Sequence, residues 1–502
     1  MDISFIGGSY KARSIAIDSQ ECVNWYLEYY GPQENAKTPK ALLPTPGLLK
    51  FATSSASGTV RGMYTTSTNR MFVVIGNKLQ EFVSTGFEIN RGTLLTYAGN
   101  VSFSDNGNGD APGRGLIITD GANGYMLNLS TNIFTKITDL VFPRCSHVVF
   151  CNGFFIVNEQ NSARFWCSQL YNGLVWDHLD LFANFATAEG APDNLKAVAT
   201  IHNELWLIGE QTTEIWSGIS GADFPFARLP GGFINNGTVA PFSVTANGSN
   251  LFWLGSSAQG HGQVWLAQGY QPQKISTNAI DYLIEKLPNI QDAIGWAYTQ
   301  QGHEFYVLSF VKGNKTLVYD LSCNEWHERA YFNPTTDINE RYLASYACFF
   351  NEKNYVGDYR NGNIYELSLD KYTDNGEIVR RVRTGPHIHS DRKRLYFHEF
   401  EIDIERGVGL QGETQLPTPG NELNIIQNVQ GDDPIGILYW SDDGVFTWSN
   451  GYPGKLGRPG EYKTRLHWHR LGHSRDRIFR LVVTDPIKSV LVGARSDITM
   501  EK

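Results

Sequence analysis

The hydrophobic positions of this chain fall in short runs joined by turns, and one couplet of runs recurs along much of its length. The clearest copy is EFYVLSFVKGNKTLVYDL (304–321), in which two apolar runs flank a Gly-Asn-Lys turn. Apolar runs of this length predict strands that are buried on both faces and joined as a hairpin. Related couplets begin at Met71, Leu116, Phe154, Leu205 and Leu251, and a weaker one begins at Asn354.

A strand repeat of about forty to fifty residues without a regular helix between its copies predicts a β-propeller. A single copy cannot bury both of its faces, so the copies must stack around an axis. Seven copies predict seven blades, and six is the alternative because the first and last copies are irregular. An ordinary β-sandwich with many hairpins is the competing fold. Paired tryptophans favour the propeller, because large side chains fill the gaps between blades: Trp166 and Trp176, Trp206 and Trp216, Trp253 and Trp265, Trp296 and Trp326.

The regions that flank the repeat have a different character. Residues 1–57 carry aromatic and charged residues without a clean period, which predicts an extended N-terminal arm that packs along the fold. Residues 58–372 form the predicted propeller, with one helix over 276–287 that has Ser276 or Asn278 as its N-cap and is stopped by Pro288. Residues 373–502 predict a β-sandwich with a long loop at 407–434. The expected class is therefore all-β.

The predicted sandwich carries two charged rows on alternating strands. In LYFHEFEIDIE the acidic residues share one strand face, opposite Tyr396, His398, Phe400, Ile402 and Ile404. We expect the acidic and basic rows to serve assembly, pairing either within one sandwich or between subunits. Upstream, residues 376–394 hold six Arg or Lys against two acids. The interface candidates are Glu399, Glu401, Asp403, Glu405, Lys463, Arg465, His467, His469, Arg380, Arg381 and Arg383.

Composition narrows the classes of function. A net charge of −9 argues against general nucleic-acid binding, although DNA can slide past an acidic wall. The start MDISFIGGSY lacks the features of a secretion signal, and no apolar run approaches a membrane span, so no stable membrane association is expected. Six scattered cysteines (Cys22, Cys145, Cys151, Cys167, Cys323, Cys348) indicate reduced core residues of a protein made in a cytoplasm.

Candidate chemistry is sparse. SDDGVFTW (441–448) is similar to the Asp-box of sialidases, but its glycine comes one position early, and Asp443-Gly444 between strands predicts a tight hairpin turn. The acidic row, with neighbouring carboxylates about 7 Å apart, fits an acid/base or metal ladder as well as a solvated face. His387 with His389, and His467 with His469, are pairs of the kind that bind zinc, but the spacing of the sequence indicates no third ligand. Phosphate loops and hydrolase motifs are absent from the sequence. We therefore nominate no catalytic, cofactor or metal residue and expect no enzyme.

Several longer stretches carry a family resemblance. SYKARSIAIDSQECVNWYLEYY, followed by TPKALLPTPGLLKF, resembles the N-terminal signature of the packaged-DNA stabilisation proteins of short-tailed phages, also called tail hub or nozzle proteins. ISTNAIDYLIEKL, LVYDLSCNEW and TRLHWHRLGHSRDRIFRLVVTDPIKSVLVGARSDI extend it over most of the chain. None of these motifs is catalytic, and the 407–434 loop is longer than the family leads one to expect.

The resemblance implies a structural role in the virion tail. Such proteins form a ring, as a hexamer, below the portal and its adaptor, extend the DNA channel and help to retain packaged double-stranded DNA without sequence-specific binding. They also carry distal tail proteins such as spikes, fibres or a needle. The alternatives are a propeller-type tail protein that binds or hydrolyses glycans, and an intracellular propeller scaffold. The scattered propeller arginines, which share no phase in the repeat, disfavour a glycosidase.

Overall fold

The computed structural model describes residues 1–31, 38–107, 114–177, 184–219, 224–409 and 431–501. The described residues are almost entirely strands, with a single α-helix, α1 (Asn278–Glu285). Within these ranges no helix has the length and apolar character needed to cross a membrane. Most of the predicted 407–434 loop, residues 410–430, lies outside the described residues.

Six strands lie in the N-terminal arm. They are β1 (Asp2–Ile3), β2 (Tyr10–Lys11), β3 (Ser19–Val23), β4 (Trp25–Tyr29), β5 (Lys40–Pro44) and β6 (Gly47–Thr53).

Four antiparallel sheets follow in chain order. Blade 1 holds β7 (Val60–Thr65), β8 (Met71–Ile75), β9 (Lys78–Phe82) and β10 (Glu88–Thr93). Blade 2 holds β11 (Ser102–Asp105), β12 (Gly115–Thr119), β13 (Gly124–Asn128) and β14 (Phe134–Lys136). Blade 3 holds β15 (Val148–Cys151), β16 (Phe154–Asn158), β17 (Arg164–Cys167) and β18 (Phe185–Thr187). Blade 4 holds β19 (Leu195–Ile201), β20 (Glu204–Gly209), β21 (Thr213–Gly218) and β22 (Phe226–Ile234).

The remaining blades are less regular. Blade 5 holds β23 (Gly237–Thr238), β24 (Thr245–Asn247), β25 (Asn250–Ser257), β26 (Gly260–Gln268) and β27 (Pro272–Lys274). Blade 6 holds β28 (Ile294–Gln300), β29 (His303–Phe310), β30 (Lys315–Asp320) and β31 (Glu325–Glu328). A hairpin of β32 (Ala330–Asn333) and β33 (Ile338–Arg341) follows. Blade 7 holds β34 (Ala344–Phe350), β35 (Lys353–Asp358) and β36 (Asn363–Ser368), and its fourth strand is β6 of the arm.

The sheets close into a ring. Their innermost strands β7, β11, β15, β19, β24, β28 and β34 contact one another in that order, and β34 returns to β7. In the described residues, six blades are built from consecutive chain between Val60 and Glu328, and the arm completes a seventh. Each gap between successive blades holds its own buried apolar cluster. The predicted propeller is therefore confirmed, and the paired tryptophans lie in these gaps.

Helix α1 lies between blades 5 and 6, as the sequence predicts, but its cap differs. Thr277 is the N-cap, and its side chain accepts a hydrogen bond from the backbone N of Ile280 at 3.3 Å. Both expected caps were wrong for a local reason. Ser276 is taken by the sheet, because its hydroxyl accepts from the backbone N of Val264 at 3.0 Å, and Asn278 is already helical.

After the propeller, two short strands, β37 (Thr373–Asp374) and β38 (Glu377–Ile378), pair with each other, and β37 also pairs with β6. The sandwich is then built from β39 (Arg381–Thr384), β40 (Ile388–His389), β41 (Leu395–Ile404), β42 (Ile435–Ser441), β43 (Tyr452–Lys455), β44 (Leu466–His469), β45 (His473–Ser474), β46 (Asp476–Val483) and β47 (Leu491–Met500).

The sandwich has two sheets around one core. One contains β39, β46, β42 and β43, and the other contains β47, β41 and β44. Their inner faces meet in a cluster that includes Phe400, Phe479 and Leu438. The predicted β-sandwich is thereby confirmed.

The arm belongs to both domains. Strand β3 pairs with β31 of blade 6 on one side and with β39 of the sandwich on the other, so one sheet runs through both. Strands β4 and β5 extend the second sandwich sheet through β47. Trp25 is fully buried in the sandwich core, and its indole N donates to the carbonyl of Ser489 at 2.8 Å. Propeller and sandwich are thus joined by paired backbone.

Candidate functional site

The two charged rows of the sandwich lie side by side in the same subunit. Strands β41 and β44 pair antiparallel, which places Glu399 opposite His469 and Glu401 opposite His467. The structure thus pairs acidic and basic residues within one sandwich, which is one of the two arrangements that the sequence left open.

Glu401 is the centre of this pairing. Its side chain is only 6% exposed and accepts hydrogen bonds from Nε of Arg465 at 3.0 Å and from Nε of Arg495 at 2.9 Å. The hydrogen bond from Arg465 is the largest cause that lowers the pKa of Glu401 to about 2, against the opposing effect of burial. Arg495, which the sequence analysis did not select, comes from the neighbouring strand β47.

The other members of the rows are more loosely held. Arg406 lies 3.5 Å from Asp403, and Lys488 lies 3.2 Å from Glu405. Lys463 is exposed and precedes β44 instead of lying within it. Isolated exposed pairs of this kind contribute little to stability.

The alternation expected along β41 holds only in part. A β-bulge between Phe397 and Glu399 shifts the register against β47, so Phe397 is buried while His398 is exposed. The expectation that Tyr396 and His398 share the apolar face with Phe400 was wrong, because a bulge inserts one residue and so reverses the faces on its two sides.

Two of the three candidate arginines at the start of the sandwich are internal. Arg381 and Arg383 are fully buried, and Arg383 donates to the carbonyl oxygens of Phe5 at 2.7 Å and Gly8 at 2.8 Å. Arg380 is half-buried and lies 3.1 Å from Asp337. Arg381 and Arg383 were predicted at a subunit interface, but they lie inside the chain, and Arg383 fixes the arm.

A buried ionic triad, missed by the sequence analysis, joins the arm to blade 6. Nδ1 of His303 lies 2.6 Å from Asp320, and Nε2 lies 2.6 Å from Glu28 of β4. Burial opposes a charge on the imidazole, but hydrogen bonds to Asp320 and Glu28 outweigh it and raise the pKa of His303 to about 9. His303 and Asp320 are the ends of one hairpin, which the sequence shows, whereas Glu28 arrives from a distant strand.

The same place holds the one group of potential metal ligands found among the described residues: His303, Asp320 and Cys323. The Cys323 thiol donates to the carbonyl of Leu27 at 3.2 Å, and burial raises its pKa to about 12. Both ring nitrogens of His303 already bind carboxylates, whereas a metal ligand needs a free lone pair. We therefore interpret the group as an ion-pair network.

The histidine pairs singled out in the sequence do not belong to the group of potential metal ligands found among the described residues. His387 lies 2.8 Å from Asp476, and its other nitrogen bonds the carbonyl of Ile15 at 2.8 Å, while His389 is exposed. The rings of His467 and His469 lie 4.8 Å apart.

The Asp443-Gly444 segment does not form a tight hairpin turn. Strands β42 and β43 are joined by residues 442–451, and Asp443 organises this loop. It accepts from the Ser441 hydroxyl at 2.7 Å and from the backbone N of Thr447 at 3.0 Å. Hydrogen bonds from Thr447, then from Ser441, lower the pKa of Asp443 to about 2. The turn prediction was wrong because this side chain replaces the backbone turn bond.

The propeller axis is narrow and uncharged. Its cavity has a volume of about 400 Å³, and its described lining includes Phe103, Phe242 and Trp296 but no Asp, Glu, Lys or Arg. Such a space holds on the order of a dozen waters.

Models of two domains of one phage protein match this chain. The β-propeller of bacteriophage P22 Gp10 matches residues 19–372, and the β-sandwich of the same protein matches residues 380–499. The chain belongs to the P22 Gp10 family. This confirms the family resemblance, and the P22 Gp10 domain order agrees with the propeller and sandwich of the fold.

Other comparisons add little to the P22 Gp10 assignment. No curated protein matches the chain. Among solved structures, the computationally designed Ika8 protein covers 64% of this chain and 99% of its own, at 9% identity and a TM-score of 0.36. The chain is thus a P22 Gp10-like phage protein.

Proposed function

We propose that the chain is a structural protein of a phage tail, which forms a ring below the portal and adaptor, extends the DNA channel and retains packaged DNA. The observation that carries this proposal is the match of both P22 Gp10 domains, which together cover most of the chain in the right order. The partners are other copies of the chain in a hexamer, the portal–adaptor ring, distal tail proteins and the duplex that passes through.

The construction of the molecule supports a mechanical role. The arm joins propeller and sandwich through one continuous sheet, and buried groups hold it in place: Arg383 binds the carbonyl of Phe5, and His303 binds Glu28. Backbone pairing of this kind resists relative domain motion better than a small polar interface does. A subunit so joined transmits load between its neighbours.

The channel for DNA belongs to the ring of subunits in this proposal, and not to the propeller axis. The axial cavity of about 400 Å³, which is lined in part by aromatic side chains, offers no room for a duplex. An overall charge of −9 suits a passage along which DNA must slide, because it disfavours tight binding over most of the surface.

Virions that lack this chain test the proposal directly. We expect them to package DNA and then to lose it, and we expect the chain supplied in trans to restore infectivity. Particle images of the purified chain mixed with a portal–adaptor complex should show an added ring, and native mass measurement gives its copy number. Retained DNA with normal infectivity, or no binding to the portal–adaptor complex, would refute the proposal.

Catalysis is tested separately, since glycan hydrolysis was the competing interpretation. We expect no turnover of a chromogenic glycoside panel. Turnover that disappears on substitution of a carboxylate such as Asp443 would reassign the chain as a glycosidase.

A further inference from the structure

One end of the sandwich collects basic side chains from two loops. Residues 390–394 join β40 to β41, and residues 470–475 lead from β44 to β46. Arg392, Lys393, Arg470, His473 and Arg475 are exposed, and Arg394 is half-buried. We call these six residues the basic tip.

The register of the strands brings the two loops together. At the start of β41, Leu395 pairs with Ser474 and Tyr396 with His473. On the far side of the first loop, His389 pairs with Asp476. Both loops are therefore fixed at the same end of the sandwich by backbone pairing.

The charges of the basic tip are not neutralised within the subunit. Among the described residues, none of its five Arg and Lys side chains forms an ion pair, whereas Arg465, Arg477, Arg480 and Arg495 of the same domain all bind carboxylates. Asp476, the nearest acid on β46, is held by His387 at 2.8 Å. Asp391 and Glu501 are acids within and beside the two segments, and Asp442, which binds Arg477, and Asp443 lie at the same end in the loop after β42. The tip therefore presents an excess of positive charge.

The rest of the chain has the opposite sign. Residues 373–502 contain eighteen basic and eighteen acidic residues, so the whole net charge of −9 resides in residues 1–372. A positive patch on an otherwise acidic protein attracts a polyanion at that place alone.

We infer that the basic tip binds the phosphate backbone of duplex DNA, which deepens the proposed function and rests on it. Four of its five Arg and Lys side chains are arginines, whose planar guanidinium groups bind phosphate in a bidentate way. None of its six residues is Trp, Tyr or Phe, and the ring of the adjoining Tyr396 packs against His473 with the ring centroids 5.5 Å apart. The tip itself therefore fits a duplex read through its backbone, without sequence preference. In the ring, each subunit grips the DNA at this one place while the acidic surface lets the rest slide.

The test is binding of the purified full chain to a fluorescein-labelled duplex of about 30 base pairs at about 50 mM salt, followed by anisotropy. We expect affinity that falls with salt with a log–log slope between about −3 and −5, since each phosphate contact contributes about −0.9. The triple variant Arg392→Glu, Lys393→Glu, Arg475→Glu should lose at least about tenfold in affinity.

A matched control separates the tip from total charge. Lys136, Lys312 and Lys371 are exposed propeller residues without an ion pair in the described structure, and reversing all three to Glu changes the net charge equally. This control should bind within about twofold of the original chain, and both variants should keep the original thermal unfolding midpoint. An equal loss in the control, or no binding by the original chain, would overturn the inference.

Competition identifies the class of ligand. Polyglutamate at the same charge concentration should displace the duplex poorly. Equal displacement would assign the tip to an acidic protein surface and overturn the DNA assignment. A chain that is absent from tails yet binds DNA through the tip refutes the proposed function alone, whereas a chain present in tails that fails to bind refutes only this inference.

Discussion

At the scale of residues, the charged groups that matter most are buried ones that hold the chain to itself. Glu401, Arg383 and His303 each join segments far apart in sequence, and each is at most 6% exposed. The sequence showed Glu401 and Arg383 as parts of charged stretches but gave no sign of burial or partner. The partner of such a group depends on the whole fold, so pattern reasoning cannot supply it.

The His303 triad predicts a specific pH dependence. The folded pKa of about 9 lies above the ordinary value of 6.5, so the stabilisation is fully present below pH 6.5 and is lost as the pH rises through 9. The difference between the folded pKa of about 9 and the ordinary pKa of 6.5 corresponds to about 3 kcal/mol of folding free energy. Thermal unfolding followed between pH 6.5 and 9.5 should show this decline.

Variants assign the pH dependence to one residue. His303→Gln should flatten the decline and lower stability by about 3 kcal/mol at neutral pH, because two carboxylates lose their cation. His389→Gln, at an exposed histidine, should keep the original profile. A free energy of unfolding of the unsubstituted chain that stays constant between pH 6.5 and 9.5 would contradict the prediction.

Glu401 predicts a loss of folding and not of assembly alone. Glu401→Gln keeps the shape of the side chain but removes the charge that Arg465 and Arg495 share, and it should cost about 2 kcal/mol. Glu401→Lys should leave the sandwich domain of the full chain misfolded. Denaturant unfolding of the monomer measures both effects.

The control for Glu401 is Glu399→Gln, since Glu399 is more exposed and lies 3.5 Å from Arg465. It should change stability by less than about 0.5 kcal/mol. The Glu401→Lys chain could instead keep the stability of the unsubstituted chain and no longer form rings. That result would assign the acidic and basic rows to the subunit interface.

At the scale of elements, apolar runs identified the blades because each strand carries its own signal. The weakest copy, near Asn354, is a genuine blade whose signal is diluted because its fourth strand, β6, lies more than three hundred residues earlier. The arm was predicted as extended chain, yet which sheets it enters depends on long-range pairing. The two-residue hydrophobic period of strands also does not predict local irregularities such as the bulge at His398 and the Asp443 loop.

Asn24, between β3 and β4, is the element-scale position most open to test. It is 2% exposed, its Nδ2 donates to the carbonyls of Arg380 at 2.8 Å and Ala330 at 3.0 Å, and its Oδ1 accepts from the backbone N of Ala330. Asn24→Ala leaves these buried groups unpaired and should cost about 2–4 kcal/mol. Unfolding should then separate into two transitions as the domains uncouple.

Asn161→Ala is the matched control for Asn24. Both residues have a φ of 57°, a left-handed conformation that asparagine tolerates, but Asn161 is exposed. Asn161→Ala should lower the free energy of unfolding by only about 1 kcal/mol, which is the cost of the left-handed backbone conformation. Its unfolding should keep a single transition. Equal effects of the two substitutions would assign the Asn24 loss to backbone strain instead of the hydrogen bonds.

At the scale of the whole molecule, the chain is one structural unit assembled from two domain types. Family membership and fold class followed from sequence, since repeats and motif stretches are local. The interdependence of the domains did not, because the arm residues that enter the sandwich core carry no mark of it. Phe5, Trp25 and Leu42 precede the propeller in sequence and are buried in the sandwich cluster.

This interdependence predicts that the propeller fails without the sandwich. A fragment of residues 1–379 exposes Phe5, Trp25 and Leu42 together with the free edge of β3, which pairs with β39 in the full chain. An exposed apolar patch beside an unpaired strand edge favours aggregation. We expect the fragment to be largely insoluble, and co-expression of residues 380–502 to restore a soluble complex with the near-ultraviolet circular dichroism of the full chain. A monodisperse fragment that shows the native aromatic signal on its own would contradict this prediction, because it would mean that the arm can settle on the propeller without its second sheet.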